Sequence, residues 1–190
     1  TRTTGIWQTV WLEAVPQAFI HSFRVYPDIA AKRVALQVAI DGPVCNGFLT
    51  AKATAAGKTV GSTRVAAAAS MQLSIDLDDL RLWSPESPFL YDLELTLEAK
   101  GQPADVVNGY FGMRDIQIDG KKVRLNGKSV FQRLILDQGF YPDGIYTAPS
   151  DAALRRDIEL SMAMGFNGAR LHEKIFESRF LYWADKLGYL

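Results

Sequence analysis

Apolar and polar residues alternate one for one through the first part of this chain, and beyond residue 150 the apolar positions recur every four. From Arg33 to Ile40 the residues Val34, Leu36, Val38 and Ile40 alternate with smaller or polar ones, the period of a half-buried strand. Phe19 to Tyr26 repeats the pattern, with Phe19, His21, Phe23 and Val25 on one predicted face. Further runs at 47–55, 59–65, 71–77, 90–99 and 106–118 are separated by turn formers such as Asp41-Gly42-Pro43, Gly57-Lys58 and Lys100-Gly101-Gln102-Pro103. The span 17–118 therefore predicts one antiparallel sandwich of about seven strands. Ahead of it, Ile6 to Leu12 is rich in β-branched and aromatic residues and predicts a separate strand ended by Pro16. Trp7 and Trp11, four apart, fall on one face of that strand and read as packing between domains.

After Asp119-Gly120 the period changes. Lys122–Leu125 and Ser129–Leu136 flank Asn126-Gly127, the strongest short hairpin signal because both residues tolerate positive φ. A loop rich in Gly, Pro and Tyr leads to Ser150, a good N-cap, and to Leu154, Ile158 and Met162 at helical spacing, with Gly165 as the stop. Phe166 to Leu171 is short and apolar enough for a buried strand. A second helix starts at Glu177 or Ser178, turns Phe180, Leu181, Ala184 and Leu187 inward and ends at Gly188. Strand, helix, strand, helix demands parallel neighbours, so a third strand is expected after Leu190.

Composition narrows the functional classes. Apolar content of 48% supports ordinary cores in a 190-residue soluble chain. Lys+Arg and Asp+Glu are both 21, and residues 1–118 carry 10 basic and 12 acidic side chains against 11 and 9 in residues 119–190. No basic face for nucleic acid is implied. The apolar runs are too short to span a bilayer, so no membrane partner is expected. Cys45 is the single cysteine, His21 and His172 are the only histidines, and neither spacing suits a metal site. A nucleotide-binding βαβ domain fails on sequence, since no Gly-x-Gly-x-x-Gly follows a predicted strand, and no cofactor is expected. With Thr1 rather than Met first and no signal-peptide pattern, the chain reads as a piece cut from a longer polypeptide, and no compartment is assigned.

Five segments carry more specific information. They are Gly5 to Leu12 (GIWQTVWL), Leu82 to Tyr91 (LWSPESPFLY), Gly109 to Arg114 (GYFGMR), Leu125 to Lys128 (LNGK) and Met164 to Arg170 (MGFNGAR), in this order. Together they resemble glycoside hydrolase family 2, the β-galactosidase and β-glucuronidase relatives. The resemblance implies a modular enzyme with a jelly-roll domain, an immunoglobulin-like sandwich and a (β/α)8 barrel bearing two catalytic glutamates. On that map 1–16 is the tail of the jelly roll, 17–118 the immunoglobulin-like sandwich, and 119–190 the start of the barrel with its first two βα units. A barrel of this class takes about 250 residues, so the 72 from Asp119 to Leu190 cannot close one.

The resemblance places the acid/base Glu after an Asn beyond the fourth barrel strand and the nucleophile near the seventh. No Asn-Glu dipeptide occurs here, so no catalytic residue is assigned. Retaining glycosidases need two carboxyl groups facing one pocket, and this piece alone is expected to be inactive. Barrel sites gather at the C-terminal ends of strands, which makes Arg170 and His172 candidates for substrate binding. The stretch Arg170-Leu171-His172 departs by one residue from the family's spacing; the bland alternatives are a rim ion pair for Arg170 and a solvent-facing loop for His172. After the first barrel strand, Asp137 and Gln138 are candidates because a carboxylate and an amide suit paired sugar hydroxyls, and Tyr141 and Tyr146 are candidates for stacking. Against these stands a loop-capping Asp137 and tyrosines that merely pack. Trp83, Pro85, Pro88 and Tyr91 are better explained by burial and turn geometry. The competing function is a non-catalytic carbohydrate-binding or adhesive sandwich. Truncation also predicts self-association through the open strand edges, or local disorder in that region.

Overall fold

The computed structural model describes residues 4–190. Residues 1–3, the start of the expected jelly-roll tail, lie outside the described residues. The chain divides into two compact units, one formed by Glu13–Trp83 with Phe89–Ser129, the other by the described part of Thr1–Leu12 with Ser84–Pro88 and Val130–Leu190.

The first unit holds the predicted alternating strands. They are β1 (Phe19–Asp28), β2 (Arg33–Asp41), β3 (Phe48–Ala55), β4 (Lys58–Ala66), β5 (Ser70–Asp76), β6 (Tyr91–Glu98) and β7 (Asp105–Phe111). Two sheets form, in the orders β1-β2-β5 and β4-β3-β6-β7, and every neighbouring pair in them is antiparallel. Their inward residues share one core: Val34, Leu36, Val38 and Ile40 from β2, with Leu49, Ala51 and Ala53 from β3 and Tyr91, Leu93, Leu95 and Leu97 from β6. These are almost wholly removed from water, each large apolar side chain contributing about 1.5–3 kcal/mol.

The face predicted for β1 changes partway along. A register shift between Ile20 and Ser22 inserts a residue, so Ile20 points into the core, His21 is exposed, and Phe23 and Val25 pack inward after the bulge. The run expected at 106–118 likewise divides into β7 and β8 (Ile116–Asp119). Between them the chain leaves the sheet to pass Trp83, whose N–H donates to the Met113 carbonyl at 2.9 Å. A Cβ on Gly112 would lie 3.2 Å from that of Trp83, so the passage is tight.

Tyr91 ties the connection before β6 to the core. Its ring is fully buried, and its hydroxyl accepts from the Arg81 N–H at 2.6 Å and donates to the Asp79 carbonyl at 2.8 Å. Burial raises the pKa of this phenol. Next, β8, β9 (Lys122–Leu125) and β10 (Lys128–Ser129) form a three-stranded meander. Asn126 and Gly127 adopt φ of 51° and 78°, the primed turn that the dipeptide predicts.

The second unit contains β11 (Leu134–Asp137), α1 (Asp151–Ala163), β12 (Gly168–Leu171) and α2 (Ser178–Leu187). β11 and β12 are parallel, as the alternation of strand and helix requires. Ser150 caps α1 by accepting from the Ala153 N–H at 3.2 Å, and Leu154 and Ile158 are buried. The third predicted inward position, Met162, is 36% exposed; Ser161 takes the inner place and its hydroxyl lies 2.6 Å from that of Tyr189. On α2, Phe180 is buried but Leu181 faces outward. The expected strand at 6–12 is absent: residues 4–16 have no regular pairing, and Ile6, Val10, Trp11 and Leu12 are exposed. Strand propensity alone does not form a strand without a neighbour to bond to.

Leu190 extends the parallel pattern. Its N–H donates to the Asn167 carbonyl and its carbonyl accepts from the Ala169 N–H, both at 2.9 Å. The His172 N–H instead reaches the Asp137 carbonyl at 2.8 Å. Positions 169 and 172 point to opposite edges of a strand, so Leu190 makes a second parallel pairing, on the side of β12 away from β11.

Candidate functional site

Two loops leave the C-terminal ends of the parallel strands, one from β11 through residues 138–147 and one from β12 through residues 172–174. They line a cleft of about 240 Å³. Gln138, Phe140 and Tyr146 come from the first loop, His172, Glu173 and Lys174 from the second, and Trp7 from the N-terminal segment. Local sequence explains the loop shapes. Gly139 has a φ of 58° and lies so close to Phe176 that a Cβ would meet its ring at 2.7 Å. Tyr141 and Ile145 bond reciprocally across a tight turn.

Three rings form the apolar wall. Tyr146 packs against Trp7 with centroids 6.2 Å apart and against Phe140 at 4.8 Å. Trp7 is further fixed by the Thr147 hydroxyl, which donates to its carbonyl at 2.9 Å. Lys174 joins the segments: Nζ donates to the Gly139 carbonyl at 2.8 Å and lies 4.0 Å from the centre of the Tyr146 ring, 4.9 Å from Phe176 and 5.2 Å from Trp7. Burial lowers the pKa of Lys174, opposed by the charge of Asp137.

The sequence-predicted residues divide in this geometry. Gln138, His172 and Tyr146 line the cleft. Arg170, at the end of β12, is exposed, and its Nη1 lies 2.7 Å from His172 Nδ1. Asp137 is half-buried and does not line the cleft; its Oδ1 accepts from the Gly139 N–H at 2.7 Å. Burial raises the pKa of its carboxyl, the Gly139 N–H and Lys174 oppose the shift, and Asp157 adds to it. Tyr141 donates to Asp157 at 2.7 Å and stands outside the main cleft. Burial and that bond push its phenol well above the ordinary value. Phe140, Glu173 and Lys174 carry no signal in the sequence that marks them for a site, and Trp7 reads there as packing. Glu173 has one local signature visible only in the backbone, a φ of 58°.

The set combines flat aromatic surfaces with donors and acceptors, of which His172 and Lys174 are held by hydrogen bonds, an arrangement that suits a polyhydroxylated ring. Against known proteins, residues 18–114 match the model of "Glycosyl hydrolases family 2". Over 191 residues the chain is 26% identical to a β-galactosidase of Lactococcus lactis, covering 98% of this chain and 18% of that protein. It is 29% identical over 153 residues to an exo-β-D-glucosaminidase of Amycolatopsis orientalis, covering 74% of this chain and 14% of the relative. The chain therefore spans less than a fifth of the length of either. Among solved structures, a family 2 member from Bacteroides cellulosilyticus superposes with a TM-score of 0.82 at 22% identity, over 92% of this chain and 24% of that one. β-Glucuronidase 3 of Bacteroides uniformis does so at 0.78 and 23%, over 92% of this chain and 22% of its own. These two likenesses establish the fold.

Proposed function

This chain belongs to glycosyl hydrolase family 2, and from that membership we infer that it is a segment of an enzyme that hydrolyses β-linked O-glycosides with retention. The segment supplies an immunoglobulin-like sandwich and the opening two βα units of a (β/α)8 barrel. The division follows the sequence: 1–16 as the tail of a jelly roll, 17–118 as the sandwich, 119–190 as the barrel entry. Support for the sandwich comes from strand order and from Tyr91. Strands 1, 2 and 5 form one sheet and strands 3, 6 and 7 belong to the other, as in the constant-type immunoglobulin arrangement, and only β4 differs, pairing with β3 instead of joining the first sheet. Tyr91 at the start of the sixth strand, bonded back to the preceding connection, matches the tyrosine corner of this architecture.

The barrel reading is supported by order in space. β11, β12 and Leu190 lie side by side in chain order, as strands wound in one direction do. The single observation that carries the functional reading is the position of the cleft, at the C-terminal ends of two adjoining parallel strands, where barrel enzymes bind substrate. Gln138, His172 and Tyr146 contact the sugar in this proposal, Arg170 supports His172, and Asp137 shapes the loop that carries Gln138. The partner is thus a carbohydrate. The catalytic carboxylate pair belongs to other parts of the enzyme, since no Asn-Glu dipeptide occurs in the chain.

The full-length polypeptide, assayed on chromogenic β-galactosides, β-glucuronides and β-glucosaminides, is expected to turn over at least one of them and to release the β-anomer first, while the 190-residue chain turns over none. Release of the α-anomer would contradict a double-displacement mechanism. No turnover of any β-glycoside would refute the enzyme reading itself.

A further inference from the structure

His172 stands between two groups of opposite character. Arg170 Nη1 lies 2.7 Å from its Nδ1, and Glu173 Oε1 lies 3.6 Å from its Nε2. A guanidinium only donates hydrogen bonds, so the Arg170 contact makes Nδ1 the acceptor and leaves the ring proton on Nε2. That N–H is on the side of Glu173. At 3.6 Å the pair is too far apart for a hydrogen bond, and donor and carboxylate stand beside each other without bonding.

Glu173 carries a second, independent mark. Its φ of 58° lies in the left-handed region, uncommon for a residue with a side chain, and such strain concentrates at ligand-binding positions. Its side chain is 82% exposed, and both it and His172 line the cleft. An N–H donor next to a carboxylate acceptor suits one hydroxyl group, which accepts from the first and donates to the second.

Building on the reading of the cleft as a sugar site, we propose that Arg170 is a positioning residue that holds His172 in the Nε2–H tautomer, and that His172 and Glu173 together bind one hydroxyl of a pyranoside. The ring bearing that hydroxyl packs its apolar face toward Trp7 and Tyr146. Glu173 is thereby a specificity-determining residue, selecting sugars by the presence of that hydroxyl.

The chain has two histidines, so nitrogen-15 spectra of its imidazoles, with His21→Gln for assignment, read the tautomer directly. At alkaline pH, His172 is expected to show a protonated-type Nε2 and an unprotonated-type Nδ1. Arg170→Lys, which keeps a donor, preserves this pattern, and Arg170→Met moves the ring toward the mixture of free imidazole. An Nδ1–H tautomer in the unsubstituted chain, or an Arg170→Met spectrum identical to it, overturns the positioning role. In the full-length enzyme, Glu173→Gln and His172→Ala should each raise KM roughly 10-fold for the intact glycoside. Neither should matter for the monodeoxy glycoside that lacks the bound hydroxyl. Equal losses on every monodeoxy substrate would overturn the hydroxyl site. A full-length protein without glycosidase activity would remove the enzyme reading and the hydroxyl site together, while the tautomer measurement is decided on its own.

Discussion

Asp137 shows how a single side chain beside the cleft sets a pH dependence. Burial is the largest cause of its raised pKa, with Asp157 adding to it and the Gly139 N–H and Lys174 opposing. The folded chain thus holds a proton at this carboxyl more firmly than the unfolded chain does. As pH rises from the ordinary value of 3.8 toward the raised folded value, the unfolded state releases its proton first and native stability falls. Below that window the penalty is absent, and above it the penalty is complete and constant. Asp137→Asn keeps an acceptor for the Gly139 N–H while removing the buried charge. The variant is expected to match the parent in urea unfolding at acidic pH and to show a higher midpoint at neutral pH. A lower midpoint at neutral pH would contradict burial as the dominant cause. At this scale the site was partly legible: Gln138 and His172 follow predicted strands, and the strand-end rule pointed to them. Trp7 was not legible, because its Thr147 partner lies 140 positions away and no local pattern encodes so distant a meeting.

Among the elements, β12 is the one on which the second unit depends. It bonds to β11 along one edge and to Leu190 along the other, and Gly168 sits where both approach. A Cβ there would lie 2.4 Å from the Leu190 carbonyl oxygen and 2.7 Å from Leu134 Cδ2. The first of these is backbone and cannot rotate away. Gly168→Ala is therefore expected to release Leu190 and shift β12 against β11, losing about 1–3 kcal/mol as overpacked sites do. Hydrogen exchange would report it as faster exchange at Ala169, Leu190 and His172, with the amides of β2, β3 and β6 unchanged. Uniform loss of protection across both units would refute so local an effect. Elements were the most legible level of this fold, since the alternation in β2 and the four-residue spacing in α1 are direct consequences of backbone geometry. The failures have equally physical causes. The bulge in β1 moves His21 out of register without any sequence mark, and the apolar run at 6–12 resembles a strand in composition but finds no partner edge among the described residues.

At the scale of the whole molecule, the two units differ in how far their apolar surfaces are satisfied. The seven strands of the first close over a common core. In the second, β11 has β12 on one edge and no strand on the other among the described residues, although parallel sheets are normally covered on both faces and at their edges. Large apolar side chains are exposed in both units, Ile116 and Ile118 in the first among them; in the second Phe131 is 79% exposed, Ile175 80%, Met164 65% and Leu136 53%. The last four belong to Val130–Leu190. Contiguous exposed apolar patches beyond a few hundred Å² are rare on monomers and drive association. The 190-residue chain is accordingly expected to self-associate, with a weight-average mass by light scattering that rises with concentration. Phe131→Lys with Leu136→Lys should lower that mass at equal concentration, because a charge at a strand edge or on an apolar face opposes pairing. The open edge is what the sequence leads one to expect if 119–190 is the entry to a barrel, because two strand–helix units cannot complete a cylinder. A mass equal to one chain at every concentration, with the amides of β11 fully protected from exchange, would show that the second unit satisfies its own edges and would count against its assignment to a barrel.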